Sequence, residues 1–225
     1  MRADGREPTS AGVGDAFLRF FRRPPKQTRS RALVEAMLAA LEEQLATPDR
    51  AESWTLETLV DRAGVGVGSF YEYFSNKESL LGALVGAVTD KNFRELLAAS
   101  ELEADDTLET AVARVTSAIA RTYLGRPTLT RVVMASIGRL GLMSPVVVAR
   151  DRFARELAKR AQRFFPDASE DALAETMRMV ADATMGIVSG ELERTAEPDV
   201  AMWSSRIAEM GCLLLRSRHE GAATQ

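Results

Sequence analysis

The sequence predicts an all-α chain in which a small three-helix head precedes a larger helical body. Three observations carry this expectation. Ala, Leu, Arg and Glu dominate the 225 residues, aromatics make up 6%, and no stretch alternates apolar and polar residues as a half-buried strand would. From residue 28 onward, apolar residues recur three and four apart, the spacing of one helix face. Between the periodic stretches stand Pro48, Gly64, Gly125, Pro127, Gly141, Pro145 and Pro198, residues that end or open helices.

Residues 1–27 read as a flexible basic arm. They carry Gly, Pro and charge, with an apolar patch at Phe17, Leu18, Phe20 and Phe21 long enough for one helical turn. Pro24-Pro25 cannot lie within a continuous helix. A leader without a role is the alternative reading of this arm. Residues 28–85 form the expected head. Its first helix begins near Thr28 or Ser30, runs to about Ala46 and buries Leu33, Met37, Ala40, Leu41 and Leu45. Thr47-Pro48-Asp49 ends it, and a polar loop leads to Trp54.

Thr55 is a good N-cap for a second helix, Leu56–Ala63, because its hydroxyl can accept from an unpaired first-turn amide. Gly64 then takes the left-handed position that ends a helix, Val65 plugs the corner and Gly66 opens the third. In Val67–Phe74 the spacing turns Val67, Phe70 and Phe74 inward. Gly68, Ser69, Glu72 and Tyr73 are left outside, with Tyr71 at the margin. Ser75-x-x-Glu78 reads as a capping box that starts a long helix to about Ser100.

The body, residues 86–225, contains the rest of that helix and five more after the acidic linker Glu101–Asp106. These are Leu108–Gly125, Pro127–Arg139, Pro145–Phe165, Ser169–Arg194 and Pro198–Arg218. In the penultimate helix Leu173, Met177, Val180, Thr184 and Ile187 mark one face, while Ala183, Gly186 and Gly190 mark a second, small one. The last helix shows Val200, Trp203, Ile207, Met210 and Leu214. Two long helices with wide apolar surfaces suit a homodimer closed by a four-helix bundle.

Two helices joined by a short glycine turn form the helix-turn-helix unit, whose second helix enters the DNA major groove. The stretch also resembles the head of the TetR family of transcriptional regulators. Ala63-Gly64-Val65, Ser69-Phe70-Tyr71-Glu72-Tyr73-Phe74 and Asn76-Lys77-Glu78-Ser79-Leu80-Leu81 match the family's turn, recognition helix and following helix start without a gap. Two positions depart from the pattern. Gly66 replaces the usual Ser or Thr N-cap, and Gly68 lies within the recognition helix, where glycine costs up to about 1 kcal/mol. The resemblance implies that Val67, Gly68 and Ser69 approach base edges and that Thr55, Tyr71, Tyr73 and Lys77 hold phosphates. Arg29 and Gly66 are expected among the DNA-binding residues as well. Lys77, beside a positive helix N-terminus, is locally unfavourable without an anion, which phosphate supplies; a solvated surface lysine is the alternative.

Charge argues less directly. The net charge is −3, and residues 26–90 hold six Lys/Arg against ten Asp/Glu. The exception is the acid-free run at 19–31, with Arg19, Arg22, Arg23, Lys26, Arg29 and Arg31, expected to add non-specific phosphate or minor-groove contact. One Cys and one His, Cys212 and His219, leave metal-ligand and nucleophile–base schemes without parts, so no enzyme, metal or cofactor is expected. The glycines at 64, 66 and 68 fail the dinucleotide fingerprint at Ser69 and Tyr71, and no strand precedes them. With no membrane-length apolar run and a polar N-terminus unlike a signal peptide, the chain is expected in the cytoplasm.

The reading that gathers these features is a ligand-responsive regulator, a repressor that binds a palindromic operator and is released by a small, mostly apolar molecule. A helical scaffold without specific DNA binding is the competing reading. Tyr123, Met134, Phe153 and Met177 are the expected ligand contacts, chosen as large adaptable groups on successive body helices. Met143, Met179 and Met185 can join them or be plain core.

Overall fold

A computed structural model describes residues 16–47, 49 and 53–219. Residues 1–15 of the expected arm, and residues 48 and 50–52 of the polar loop, lie outside the described residues. Among the described residues nine helices of seven or more residues follow one another: α1 Thr28–Leu45, α2 Leu56–Ala63, α3 Val67–Tyr73, α4 Lys77–Ala99, α5 Leu108–Leu124, α6 Pro127–Arg139, α7 Met143–Ala161, α8 Glu170–Arg194 and α9 Val200–His219. No strand occurs among the described residues.

Local chemistry sets most helix ends where the sequence places them. Thr55 accepts from the Thr58 amide at 3.2 Å, and Thr58 returns the bond to the Thr55 amide. Gly64 sits at φ 64°, with the Val65 amide donating to Val60 O at 3.0 Å, a Schellman closure only glycine enters without strain. Three starts differ from expectation. The cap of α4 is Asn76 rather than Ser75: Asn76 Oδ1 accepts from the Ser79 amide at 2.8 Å, while Ser79 Oγ accepts from the Asn76 amide. Asn caps as well as Ser, and Glu78 is left exposed in the first turn, where it favours the dipole. α7 begins at Met143, so Pro145 is its third residue, still among the amides without an intrahelical partner. α9 begins after Pro198, with Asp199 Oδ1 accepting from the Met202 amide at 2.9 Å.

The first core gathers α1 to α4 around Met37, Leu41, Leu59, Phe70, Phe74, Leu80 and Leu84. It does not stop at the head. Leu129 and Val133 of α6 and Leu142 at the α6–α7 corner belong to the same cluster, so head and body share one interior. In the body α5 packs along α9 and α7 along α8, around Ala154, Ala158, Phe165 and Leu173. A smaller cluster of Leu96, Ala118 and Phe153 joins the far end of α4 to α5 and α7.

Residues 16–27, expected as part of a mobile arm, are packed onto this frame. After a helical turn at 16–18, Phe17 becomes buried and Phe20 and Phe21 partly so. Two glycines one turn apart on α4 seat the first two rings. A Cβ at Gly86 would stand 2.3 Å from Phe17 Cγ, and one at Gly82 2.3 Å from Phe20 Cδ1. No larger residue fits either position without displacing the ring.

Candidate nucleic-acid interface

α3 is short and poorly supported by its own sequence. Gly66 gives no side-chain cap, and Gly68 lies in its first turn. Tertiary contacts hold it: Phe70 and Phe74 are fully buried, with ring centroids 5.8 Å apart. The outward face carries Val67, Gly68 and Tyr71, with Ser69 half-buried. A Cβ at either Gly66 or Gly68 would meet nothing within 4 Å, so open space lies over both.

Two inward–outward assignments reverse. Tyr73, expected outside, is 5% exposed and joins the head core, whereas Tyr71, expected at the margin, is 46% exposed. Val67, expected to turn inward, is 45% exposed. The reason is the arm. Phe21 stacks on Phe74 at 5.2 Å and the Arg22 amide donates to Tyr73 O at 2.8 Å, so the last turn of α3 is covered from outside the helix-turn-helix. Val67, at the opposite end, has no such cover.

The backbone-contact candidates do not form one cluster. Arg29 is exposed on the first turn of α1, and Thr55 is exposed with its hydroxyl engaged as the α2 cap. Lys77 Nζ stands 4.0 Å from the Trp54 ring centre and donates to Trp54 O at 2.5 Å. That contact ties the entry of α2 to the start of α4, and sequence reasoning missed Trp54 as its partner. The run at 19–31 divides in two. Arg19 donates to Leu140 O at 2.5 Å, Arg22 donates to Tyr71 O at 3.3 Å, and Arg23 pairs with Glu72 at 2.7 Å. Those three serve the protein's own carbonyls and carboxylate; Lys26, Arg29 and Arg31 are exposed.

The expected ligand residues separate into two clefts. Phe153 and Met177 line a nearly all-apolar cleft among α5, α7, α8 and α9, with Leu102, Val115, Ile119 and Ile207. Its one charged wall residue, Arg160, is paired with Glu101 at 2.6 Å. Tyr123 and Met134 line a second, smaller cleft against α4, with Thr89, Asn92, Thr130 and Met185. The Phe93–Phe153 ring pair, 6.1 Å apart, stands between them. Met143 and Met179 line neither cleft and are exposed.

The loop between α4 and α5 borders the larger cleft through Ser100 and Leu102. Arg114 binds Ala99 O, Glu101 O, Glu103 and Asp106, while Arg163 binds Glu103 O and Ala104 O. The Arg114 hydrogen bond holds the Asp106 carboxyl well below the usual carboxylate range, at about 2. No group of three or more His, Cys, Asp or Glu able to hold a metal occurs among the described residues. No single helix there is long and apolar enough to cross a membrane.

Residues 51–84 match the family model described as bacterial regulatory proteins, tetR family. A TetR transcriptional regulator from Rhodococcus sp. RHA1 shares the fold, with a TM-score of 0.57 and 22% identity over 83% of this chain and 97% of that one. Among curated proteins none matches. The matched segment runs from the loop before α2 through the first turns of α4 and holds the helix-turn-helix described above, so the head of this chain is similar to that of tetR-family regulatory proteins.

Proposed function

We propose that the chain is a homodimeric repressor that binds a palindromic operator and leaves it when an apolar molecule fills the larger cleft among α5, α7, α8 and α9. The observation that carries this reading is the placement of α4 itself. Its first turn holds Lys77 beside the helix-turn-helix, and its last turns join the Leu96–Phe153 cluster that borders the larger cleft. Val67, Gly68 and Ser69 then approach base edges, with Gly66 at the entry, while Arg29, Thr55, Tyr71 and Lys77 contact backbone. Tyr73 acts from the core by shaping α3.

The cleft favours a neutral ligand, because its wall is apolar and its arginine is already paired. Dimerisation fits the outer faces of α8 and α9. Met179 and Leu213 are exposed there, at 40% and 62%, and a Cβ at Gly186 meets nothing within 4 Å. An isologous pair through these faces sets two recognition helices about 34–36 Å apart, or a multiple, on a palindrome. Selection of duplexes from a random pool, followed by sedimentation of the complex, tests the reading. A palindromic consensus bound by two chains supports it; retention of no sequence above background, or a single chain on an asymmetric site, contradicts it.

A further inference from the structure

We propose that residues 17–23 form an internal strap that positions the recognition helix and ties its C-terminal end to the α6–α7 corner of the body. The inference uses the reading of α3 as the DNA-facing helix only for its consequences, since its test needs no operator.

Both ends of the strap are anchored by groups that sequence separation keeps far apart. At the body end, Arg19 Nη2 donates to Leu140 O at 2.5 Å, at the C-cap of α6, and reaches Gly141 O at 3.5 Å. At the head end, the Arg22 amide donates to Tyr73 O at 2.8 Å and its guanidinium to Tyr71 O at 3.3 Å. These are carbonyls of the last turn of α3, which has no intrahelical partners for them. Arg23 adds the pair to Glu72. Between the anchors, Phe17 and Phe20 sit in the notches made by Gly86 and Gly82, and Phe21 lies on Phe74.

The need for such a strap follows from α3. A seven-residue helix with a glycine cap and an internal glycine is marginal by itself. Caps supplied by residues about fifty positions earlier therefore hold its geometry. Because the other anchor is the body, a displacement at Leu140–Leu142 would reach the recognition helix along the strap, whose rings also rest on α4. Arg19 and Arg22 are thus positioning residues, and their cations are not phosphate contacts.

Hydrogen exchange of the free full chain tests this with Arg19→Met, which keeps an aliphatic stem but removes the guanidinium that donates to Leu140 O and stands 4.9 Å from the Phe20 ring centre. Exchange at the Arg22 amide and across residues 66–74 should rise by about tenfold, the scale of losing one such hydrogen bond, with α8 unchanged as control. Gly66→Ser in the same chain supplies an N-cap in open space and should return most of the protection across 66–74. On a mixed-sequence duplex, the salt slope of Arg19→Met should equal that of the unaltered chain. Unchanged exchange at Arg22 and 66–74 would overturn the strap. So would a slope smaller by about 0.9, the signature of a lost phosphate contact. Failure of the unaltered chain to bind any duplex would count against the DNA reading alone, because the exchange result stands without it.

Discussion

The two halves of α4 differ sharply in burial. From Leu80 to Thr89 nearly every residue is buried, enclosed by the head, by α6 and by the rings of Phe17 and Phe20. From Asp90 to Ala99 only Leu96 is buried, and Asp90–Arg94 and Lys91–Glu95 pair along the solvent side. Interiors are close-packed and resist small displacements, whereas exposed ion pairs contribute little. The first half therefore moves as part of the head. The second half lines the smaller cleft through Asn92 and Phe93 and meets the body through the Leu96–Phe153 cluster.

Core truncations should break this contrast most visibly. Leu84→Ala, at 1% exposure in the first half, should cost about 3 kcal/mol, and Phe93→Ala in the half-buried second half clearly less, in urea unfolding. Equal losses would remove the distinction. Next comes Gly86→Ala, whose methyl must displace Phe17; about 1–3 kcal/mol of destabilisation is expected. A neutral effect would show that the strap shifts freely.

These two expectations mark how far the chain could be read in advance. Thr55, Gly64 and the bounds of α2 and α6 were legible because caps, turns and a first-turn proline act over a few residues. The strap was not, because the meaning of Gly82 and Gly86 lies in rings more than sixty positions away, and nothing at either site signals the other. The same contact reversed Tyr73: spacing gives a helix two sides but not which one a distant segment covers. For the ligand residues, choosing large groups on successive helices found cleft walls. It could not foresee that the Phe93–Phe153 pair separates them into two spaces.

Smaller effects sharpen the contrast at each end of α4. At the body end, Asp106 lies in the loop that Arg114 fixes to Ala99 O. Because its folded pKa lies below the unfolded value, its stabilisation is present above about pH 4 and is lost as pH falls toward 2. Asp106→Asn should flatten that part of the acid-unfolding profile; an unaltered profile would detach the carboxylate from the loop's stability. At the head end, Lys77→Ala should weaken DNA binding about equally across sequences and reduce the salt slope by about 1. A changed sequence preference would give Lys77 a base-reading role instead.

The central claim is that the cleft and the DNA-facing surface act on one another through α4. Coupling between two binding events is reciprocal, so operator DNA must weaken the ligand by the same factor by which the ligand weakens operator binding. The most direct test titrates a compound that fills the Phe153–Met177 cleft into the protein alone and into the protein saturated with operator. The account predicts weaker ligand binding in the second titration, by the factor measured for operator release. Identical ligand affinities in the two titrations would contradict it.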